Sequence, residues 1–565
     1  MPNFYNFFKK NLIILIILSF ILIGSTGIFY NYSLPLVVAD EVIIMPATLK
    51  MIAGQTLRPD FPSFYHMAIP AYIYLPFFLI FLVFLRLSGL FGSLGELETF
   101  GLINYDKLLP LARFISVILG AISIYILYKI CLKLFKDKFV ALTASFLLAT
   151  SLMFVQLSHF GRVWLPQVFT ILVAFFCIIG LYEKPLLRIK DYLWAALFIG
   201  ISFGTHFVGL LVYFPFLVIH YFRNRGRKLT DIFLKNRNFL LSNFLLIIIA
   251  IFIYFLNPYG FINYGGRAIN AFSNLGDTVS AEGGESFLAK ITYHGKTLLD
   301  HEPILIILFI PSLFLLWLKK RNIFFILSSF IFGYYLIISF AIGGAPRFIL
   351  PVIPFIAMVV AYGLNYFYKS EIFTRQIKIA ILVLILSSLL YAPLLWDYKL
   401  IQPSTRILAK GWIYKSLSED TKIINLDSYF SLNENRKTIE DLKRYNSADV
   451  TKKRNFLLSL DETEYPRPNY YIFEAAGFEN IPEEISDKDF DYIVMSWWNN
   501  DDYKIWHKKI SSLIGDKKVE LIKRFPKDAA ENSFIIDLAN NMIKPYYFLP
   551  KLKQNGPVVD IYRID

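Results

Sequence analysis

Cysteine is nearly absent: the chain of 565 residues has two, Cys131 and Cys177. Both lie inside apolar stretches, so the water-exposed parts hold no cysteine from which to build a disulfide, and a thiolate metal site is excluded with it. Charge is thin as well. Asp, Glu, Lys and Arg make up 18% of the chain against 56% hydrophobic residues, which lies outside the range of soluble globular proteins. Acid is the scarcer sign, with 43 Asp and Glu against 57 Lys and Arg, leaving a formal charge of +14. The excess is gathered in short loops between apolar runs, which is the signature of membrane topology, so no nucleic-acid partner is expected. The sequence also has no glycine-rich phosphate loop and no internal repeat, which argues against a nucleotide cofactor and against a transporter of two matched halves. What remains is length, 17% aromatic residues and a mean hydropathy of +0.51. These describe a polytopic α-helical membrane protein.

Apolar stretches of spanning length fall at 12–31, 108–128, 139–157, 165–182, 238–256, 303–318, 322–342, 348–367 and 377–396, and residues 192–222 hold two short spans meeting near His206. About eleven transmembrane helices follow. The first stretch, behind Lys9 and Lys10, resembles the start of a signal peptide but is long enough to span, and it reads as an uncleaved first helix. Basic loops set the orientation: Lys129, Lys133, Lys136 and Lys138; Arg223, Arg225, Arg227 and Lys228; Lys319, Lys320 and Arg321; and Lys369, Arg375 and Lys378. All share the side of Lys9 and Lys10, so the expected location is the plasma membrane, with a cytoplasmic N-terminus. The outer side then receives 32–107, the corners at 159–164 and 204–206, 257–302, 343–347 and the C-terminus. Residues 70–87 resist this scheme, because a lone crossing there would move the lysines at 129–138 outside. The segment is expected to lie in the interface or to re-enter, and Pro70, Pro76 and Arg86 point to an interrupted helix. A membrane domain at 1–396 is expected to lead into an extracytoplasmic soluble α/β domain at 397–565, where composition turns charged and mixed. Helices are expected there at 405–417 and 503–514, and strands at 422–426, 492–496, 519–522, 534–538 and 558–562.

The outer loop carries Asp40 and Glu41 within about ten residues of the first apolar stretch. A carboxylate there takes the proton of an attacking hydroxyl, holds a divalent cation, or is an ordinary solvated loop charge. After the pair come Pro59-Asp60-Phe61 and Pro62-Ser63-Phe64-Tyr65-His66, and then the apolar segment at 70–87. This order resembles the first outer loop of GT-C membrane glycosyltransferases. The nearest group is glycosyltransferase family 39, the dolichyl-phosphate-mannose protein mannosyltransferase and aminoarabinose-transferase-like enzymes. Further likeness lies in Arg113 with the basic run at 133–138, in Ser158-His159-Phe160-Gly161-Arg162, in the polar corner within 200–215, in Arg347-Phe348-Ile349-Leu350-Pro351-Val352-Ile353-Pro354, and in Arg406 and Trp412 at the start of the outer domain. One departure stands out: many relatives carry a second acid two residues after the Arg162-type arginine, and here that position is Trp164. A single catalytic carboxylate is therefore favoured over a metal-bridged pair, and Trp164 is expected in the interfacial aromatic belt.

The resemblance implies a GT-C-like fold and a sugar donor on a polyprenyl phosphate, whose tail lies in the bilayer. The attacking hydroxyl needs a base and the departing phosphate needs a clamp. Asp40 is the candidate base, and Glu41 a supporting acid or metal ligand. Arg347 is the candidate clamp, because a guanidinium fork matches phosphate oxygens and stays charged; its alternative is an arginine snorkelling at a helix end. Arg162 and His159 at one corner, His206 at another, and Tyr65 and His66 in the loop are candidate substrate contacts. Acids and histidines at 257–302, among them His294, Asp300, His301 and Glu302, read either as a lid with replacement acids or as solvated loop charges. The sequence requires no cofactor, although a divalent metal is compatible with Asp40 and Glu41. The expected activity is transfer of the sugar, with inversion, to a hydroxyl on a glycan, lipid or protein acceptor outside the cell. A lipid or solute transporter and a non-catalytic assembly scaffold are the competing readings.

Overall fold

Inside a bilayer every backbone N–H and C=O must be paired within the segment, so the apolar runs become helices. The computed structural model describes residues 2–28, 43–59, 61, 67–103, 105–184, 186–262, 287–341, 346–427, 430–486, 488–515, 517–527, 545–551 and 556–565. The first helices are α1 (Pro2–Ser25), α2 (Ile44–Ala53), α3 (Ile69–Leu87), α4 (Leu94–Ile103), α5 (Leu109–Phe135), α6 (Lys138–Ala149), α7 (Leu152–Ser158) and α8 (Trp164–Glu183). They are followed by α9 (Ile189–Thr205), α10 (Tyr213–Asn224), α11 (Leu229–Phe233), α12 (Arg237–Leu256), α13 (Phe287–His301), α14 (Pro303–Lys319), α15 (Arg321–Ala341), α16 (Ile353–Lys369) and α17 (Arg375–Leu400). Among the described residues eight helices are long and apolar enough to cross a membrane, or ten if the α6–α7 pair, bent by 57°, and the α13–α14 pair, bent by 113°, each count as one span. The chain is a multi-pass membrane protein. The segment formed by the 3-10 turn Pro346–Val352 and α16 lies at the centre of the bundle, with 94% of its apolar window buried.

The interruption expected in 70–87 is not found, because α3 runs unbroken through Pro76. A proline within a helix removes one donor and crowds the carbonyl four residues back, here that of Tyr72, without obliging the chain to stop. The geometry also shows why α3 does not carry the chain across alone. Arg113, at the start of α5, donates from Nη1 to the carbonyl of Ile28, just past the end of α1, at 3.4 Å. The chain therefore leaves α1 and enters α5 at the same end of the bundle. The first half of α3 is tied to that end, with Tyr74 Oη 3.1 Å from Ser116 Oγ, while Ile80, Phe84 and Leu87 in its second half stay exposed.

Beyond α17 lie α18 (Thr405–Ser416), α19 (Arg436–Tyr445), α20 (Lys452–Ser459) and α21 (Asn500–Ile514), with strands β1 (Lys422–Asn425), β2 (Tyr471–Glu474), β3 (Tyr492–Trp497), β4 (Val519–Phe525) and β5 (Val558–Ile564). They form one sheet in the order β2-β1-β3-β5-β4, with β1 parallel to β2 and β3, and β5 antiparallel to β3 and β4. Strand periodicity sends alternate residues to opposite faces. Ile423, Ile472, Val494 and Ile561 pack with Ala409 and Ile413 of α18, whereas Ile424, Phe473, Ile493 and Met495 pack with Ile510 and Leu513 of α21. Four strands lie where the sequence predicts them; β2 was not expected, and the predicted strand at 534–538 falls outside the described residues.

The join between α18 and this sheet is a buried bidentate pair. Arg406 donates from Nε to Asp427 Oδ2 at 2.8 Å and from Nη2 to Oδ1 at 3.1 Å, and both residues are buried. Removing one partner strands the other charge out of water, so Asp427→Ala is expected to destabilise this region by about 3–5 kcal/mol. Protease susceptibility of the region after Leu400 checks this: cleavage should appear at lower temperature than in the wild type, and unchanged protection would show that the pair is dispensable.

Candidate active site

At the end of the bundle where α1 stops and α5 starts, the corner between α7 and α8 is pressed against α5. A Cβ at Gly161 would lie 2.7 Å from Ala112 Cβ and 3.1 Å from the Ala112 carbonyl carbon, so only glycine fits without a shift. Ser116 Oγ donates to the Phe160 carbonyl at 2.7 Å, and Tyr74 Oη lies 3.4 Å from the Arg162 carbonyl. These contacts fix the stretch carrying His159, Arg162 and Trp164. Gly161→Ala is expected to cost about 1–3 kcal/mol by overpacking, read as a lower thermal midpoint in detergent. An unchanged midpoint would show that the corner has room to move.

Trp164 is the hub of this end, and its placement corrects the expectation of a belt residue. It is 2% exposed, not lipid-facing. Its ring lies 5.6 Å from that of His206 and edge-on to Phe348 at 5.2 Å. The Arg347 guanidinium sits 5.7 Å from the Trp164 ring centroid and 5.4 Å from that of Phe348. Arg347 is half-buried at the start of the central 3-10 turn. His206 is extended backbone between α9 and the turn that leads into α10, so the helices on either side of it meet there. Arg347, His206 and the Arg162–Trp164 corner are thus brought together from three distant parts of the chain. The ring faces of Trp164 and Phe348 attract the guanidinium and so favour keeping the cation at this corner.

His159 belongs to a neighbouring cluster. Its Nδ1 is 2.8 Å from the Val155 carbonyl, its ring is edge-on to Trp396 at 6.5 Å, and its Nε2 is 3.6 Å from Asp397 Oδ1. Burial is the main reason its pKa is held down at about 4, and the nearby Arg113 guanidinium adds to this. At 3.6 Å the His159–Asp397 contact is longer than a hydrogen bond. Asp397 was read from sequence only as a domain boundary, and nothing in its local pattern signals this contact.

Of the loop acids and histidines read as a lid or as solvated charges, Glu302, His294 and His301 are buried. Glu302 Oε1 accepts from Ser151 Oγ at 2.6 Å and from Met153 N at 2.9 Å, so it caps α7 from outside that helix. His301 has its Nδ1 2.8 Å from the Thr297 carbonyl. Asp300 receives Tyr546 N at its carbonyl, 2.7 Å away. Asp40, Glu41, Tyr65 and His66 lie outside the described residues; the described neighbours of those stretches, Ile28, Ile43, Met67 and Ala68, are buried. Among the described residues no group of three or more His, Cys, Asp or Glu is placed to hold a metal ion.

Residues 106–255 match the family model of dolichyl-phosphate-mannose-protein mannosyltransferases. No curated protein matches the chain in sequence. Among solved structures, the chain is similar to ArnT from Cupriavidus metallidurans bound to undecaprenyl phosphate, with a TM-score of 0.51, 10% identity and 98% of each chain covered. It is similar also to the apo Archaeoglobus fulgidus oligosaccharyltransferase, with a TM-score of 0.50 and 11% identity over 90% of this chain and 72% of that one. Likeness at such identity is likeness of fold. The fold is that of GT-C membrane glycosyltransferases, a polytopic helical body followed by an α/β region, as the sequence motifs imply.

Proposed function

We propose that the protein is an integral-membrane glycosyltransferase that moves a sugar from a polyprenyl-phosphate donor to an acceptor hydroxyl on the extracytoplasmic side, with inversion. The observation that carries the reading is Arg347 within cation–π distance of Trp164 and Phe348, with His206 against the same Trp164 ring, at the end of the bundle where α1 stops and α5 starts. The basic loops at the opposite end support the same orientation, with the N-terminus cytoplasmic and the sheet region outside.

In this reading the acceptor oxygen attacks the anomeric carbon as its proton passes to the Asp40 carboxylate. The bond from that carbon to the phosphate oxygen breaks, and polyprenyl phosphate departs with the electron pair. One displacement inverts the centre and needs no enzyme nucleophile. Arg347 meets the phosphate, and Arg162 and His206 are assigned to contact with donor or acceptor. Glu41, Tyr65 and His66 are assigned to substrate contact from the loop. Asp40 and Glu41 are also the residues that would hold a divalent cation, and no step is assigned to one.

The test is transfer by purified protein in lipid, from a radiolabelled polyprenyl-phosphate sugar to crude acceptor fractions. Labelled product with the anomeric configuration opposite to that of the donor supports the proposal. No transfer or hydrolysis from any polyprenyl donor, together with substrate flux in sealed vesicles, would replace it with a transporter.

A further inference from the structure

A second feature lies at the opposite end of the bundle and is independent of the proposed reaction. Between the last turns of α5 and α8 an open groove of about 730 Å³ is lined by Lys129, Lys133 and Lys136 with Tyr125, Phe176 and a single acid, Glu183. The volume falls within the range of small-molecule sites, roughly 300–1,000 Å³. From Arg113 to Lys129 is sixteen residues of one helix, which at 1.5 Å per residue puts the groove about 24 Å from the Arg347 end.

Two of the lysines lie against aromatic rings of the groove, and Lys136 stands exposed at its mouth. Lys133 Nζ lies 3.9 Å from the Phe176 ring centroid and Lys129 Nζ 5.2 Å from that of Tyr125. Their neutralisation is incomplete. Glu183 reaches Lys133 at 3.7 Å, and among the described residues no carboxylate lies within ion-pair distance of Lys129 or Lys136. The next acids at this end are already engaged: Asp137 caps α6 and pairs with Lys369 at 2.6 Å, and Asp191 is held by Lys184. The groove therefore offers three cations against one anion, beside an apolar wall that includes Ile126 and Leu132.

We propose that this groove binds the phosphate headgroup of an anionic phospholipid from the leaflet at that end. The lysines meet the phosphate, and the glycerol and upper acyl chain lie along Ile126, Leu132 and Tyr125. A zwitterionic lipid gains less, because its own ammonium competes for the phosphate and is repelled by the lysines. A cavity lined by three lysines beside four apolar or aromatic side chains fits an amphiphile better than a soluble anion, which would leave the apolar wall uncovered.

The test uses the full chain, purified and delipidated in a non-ionic detergent, and titrated with short-chain phosphatidylglycerol, phosphatidylcholine or a polyprenyl phosphate. Native mass spectrometry counts the bound lipid. Phosphatidylglycerol should bind at least about tenfold more tightly than phosphatidylcholine. The Lys129→Gln/Lys133→Gln/Lys136→Gln protein should lose that preference while keeping its thermal midpoint, and the corresponding triple arginine variant should retain it. Equal binding of the two phospholipids, an unchanged preference in the glutamine variant, or displacement of phosphatidylglycerol by polyprenyl phosphate at equal concentration would each overturn the proposal, the last by assigning the groove to the donor lipid.

Discussion

Asp40→Asn is expected to lower the rate of sugar transfer by about two to four powers of ten while leaving donor affinity near that of the wild type. Asparagine keeps the shape of the side chain and removes its charge and its capacity to take a proton. Phosphate leaves as a stabilised anion and needs no acid, so in this mechanism the only proton that moves is the one on the acceptor hydroxyl. Loss of the base therefore falls on the chemical step. Trp164 sharpens the expectation, because it stands where many relatives have a second acid and is buried against Arg347 and His206. Glu41→Gln, a change to a supporting group, should cost about tenfold, at the lower end of what a positioned polar group contributes. Single-turnover transfer and donor binding, measured on both variants, separate the roles. If Asp40→Asn transfers at the wild-type rate the base is elsewhere, and if Glu41→Gln is the slower of the two the assignments exchange.

The features legible in the sequence are those that depend on local physics. Spans such as α5, α8 and α12 follow from apolar length, since a helix pairs its own backbone groups and a continuous apolar run of about twenty residues is the length that crosses a bilayer as one. The corner at His206 and the onset of α14 at Pro303 were legible for the same reason. Features that depend on tertiary partners were not. Trp164 looked like an interfacial tryptophan because an isolated aromatic at a helix start has that environment most often, and its burial is decided by Arg347 and Phe348, far along the chain. Glu302 read either as a lid acid or as a solvated loop charge, yet the first N–H groups of the short helix α7 require an acceptor, and this carboxylate supplies it across sequence distance. Strand β2 is four residues long and buried beside a parallel neighbour, so it shows none of the alternation that marks a half-exposed strand. The motif order in the first outer loop and around Arg347 carried the fold assignment, while each motif alone is too short to do so.

Arg347→Ala is expected to reduce transfer by about 10²–10³, the usual consequence of removing one donor from a developing anion. The donor phosphate is a diester with one negative charge, and the departing polyprenyl phosphate gains a second. A cation beside it is therefore worth more in the transition state than in the bound donor, and kcat should fall further than KM rises. Stability should change little, because the residue is half-buried and its ring contacts are made by the guanidinium, not by a packed aliphatic core. Arg347→Lys discriminates the clamp from a generic cation. An ammonium keeps the charge but loses the planar fork that matches phosphate oxygens, so most of the loss should persist. Trp164→Leu removes the plane on which the guanidinium rests and leaves the charge in place; it should slow transfer by less than Arg347→Ala does, and combining the two should add little to Arg347→Ala alone. Wild-type kinetics in Arg347→Lys would reduce the residue to an interfacial anchor, and full additivity of the Trp164 and Arg347 changes would show that the stack does not serve the phosphate.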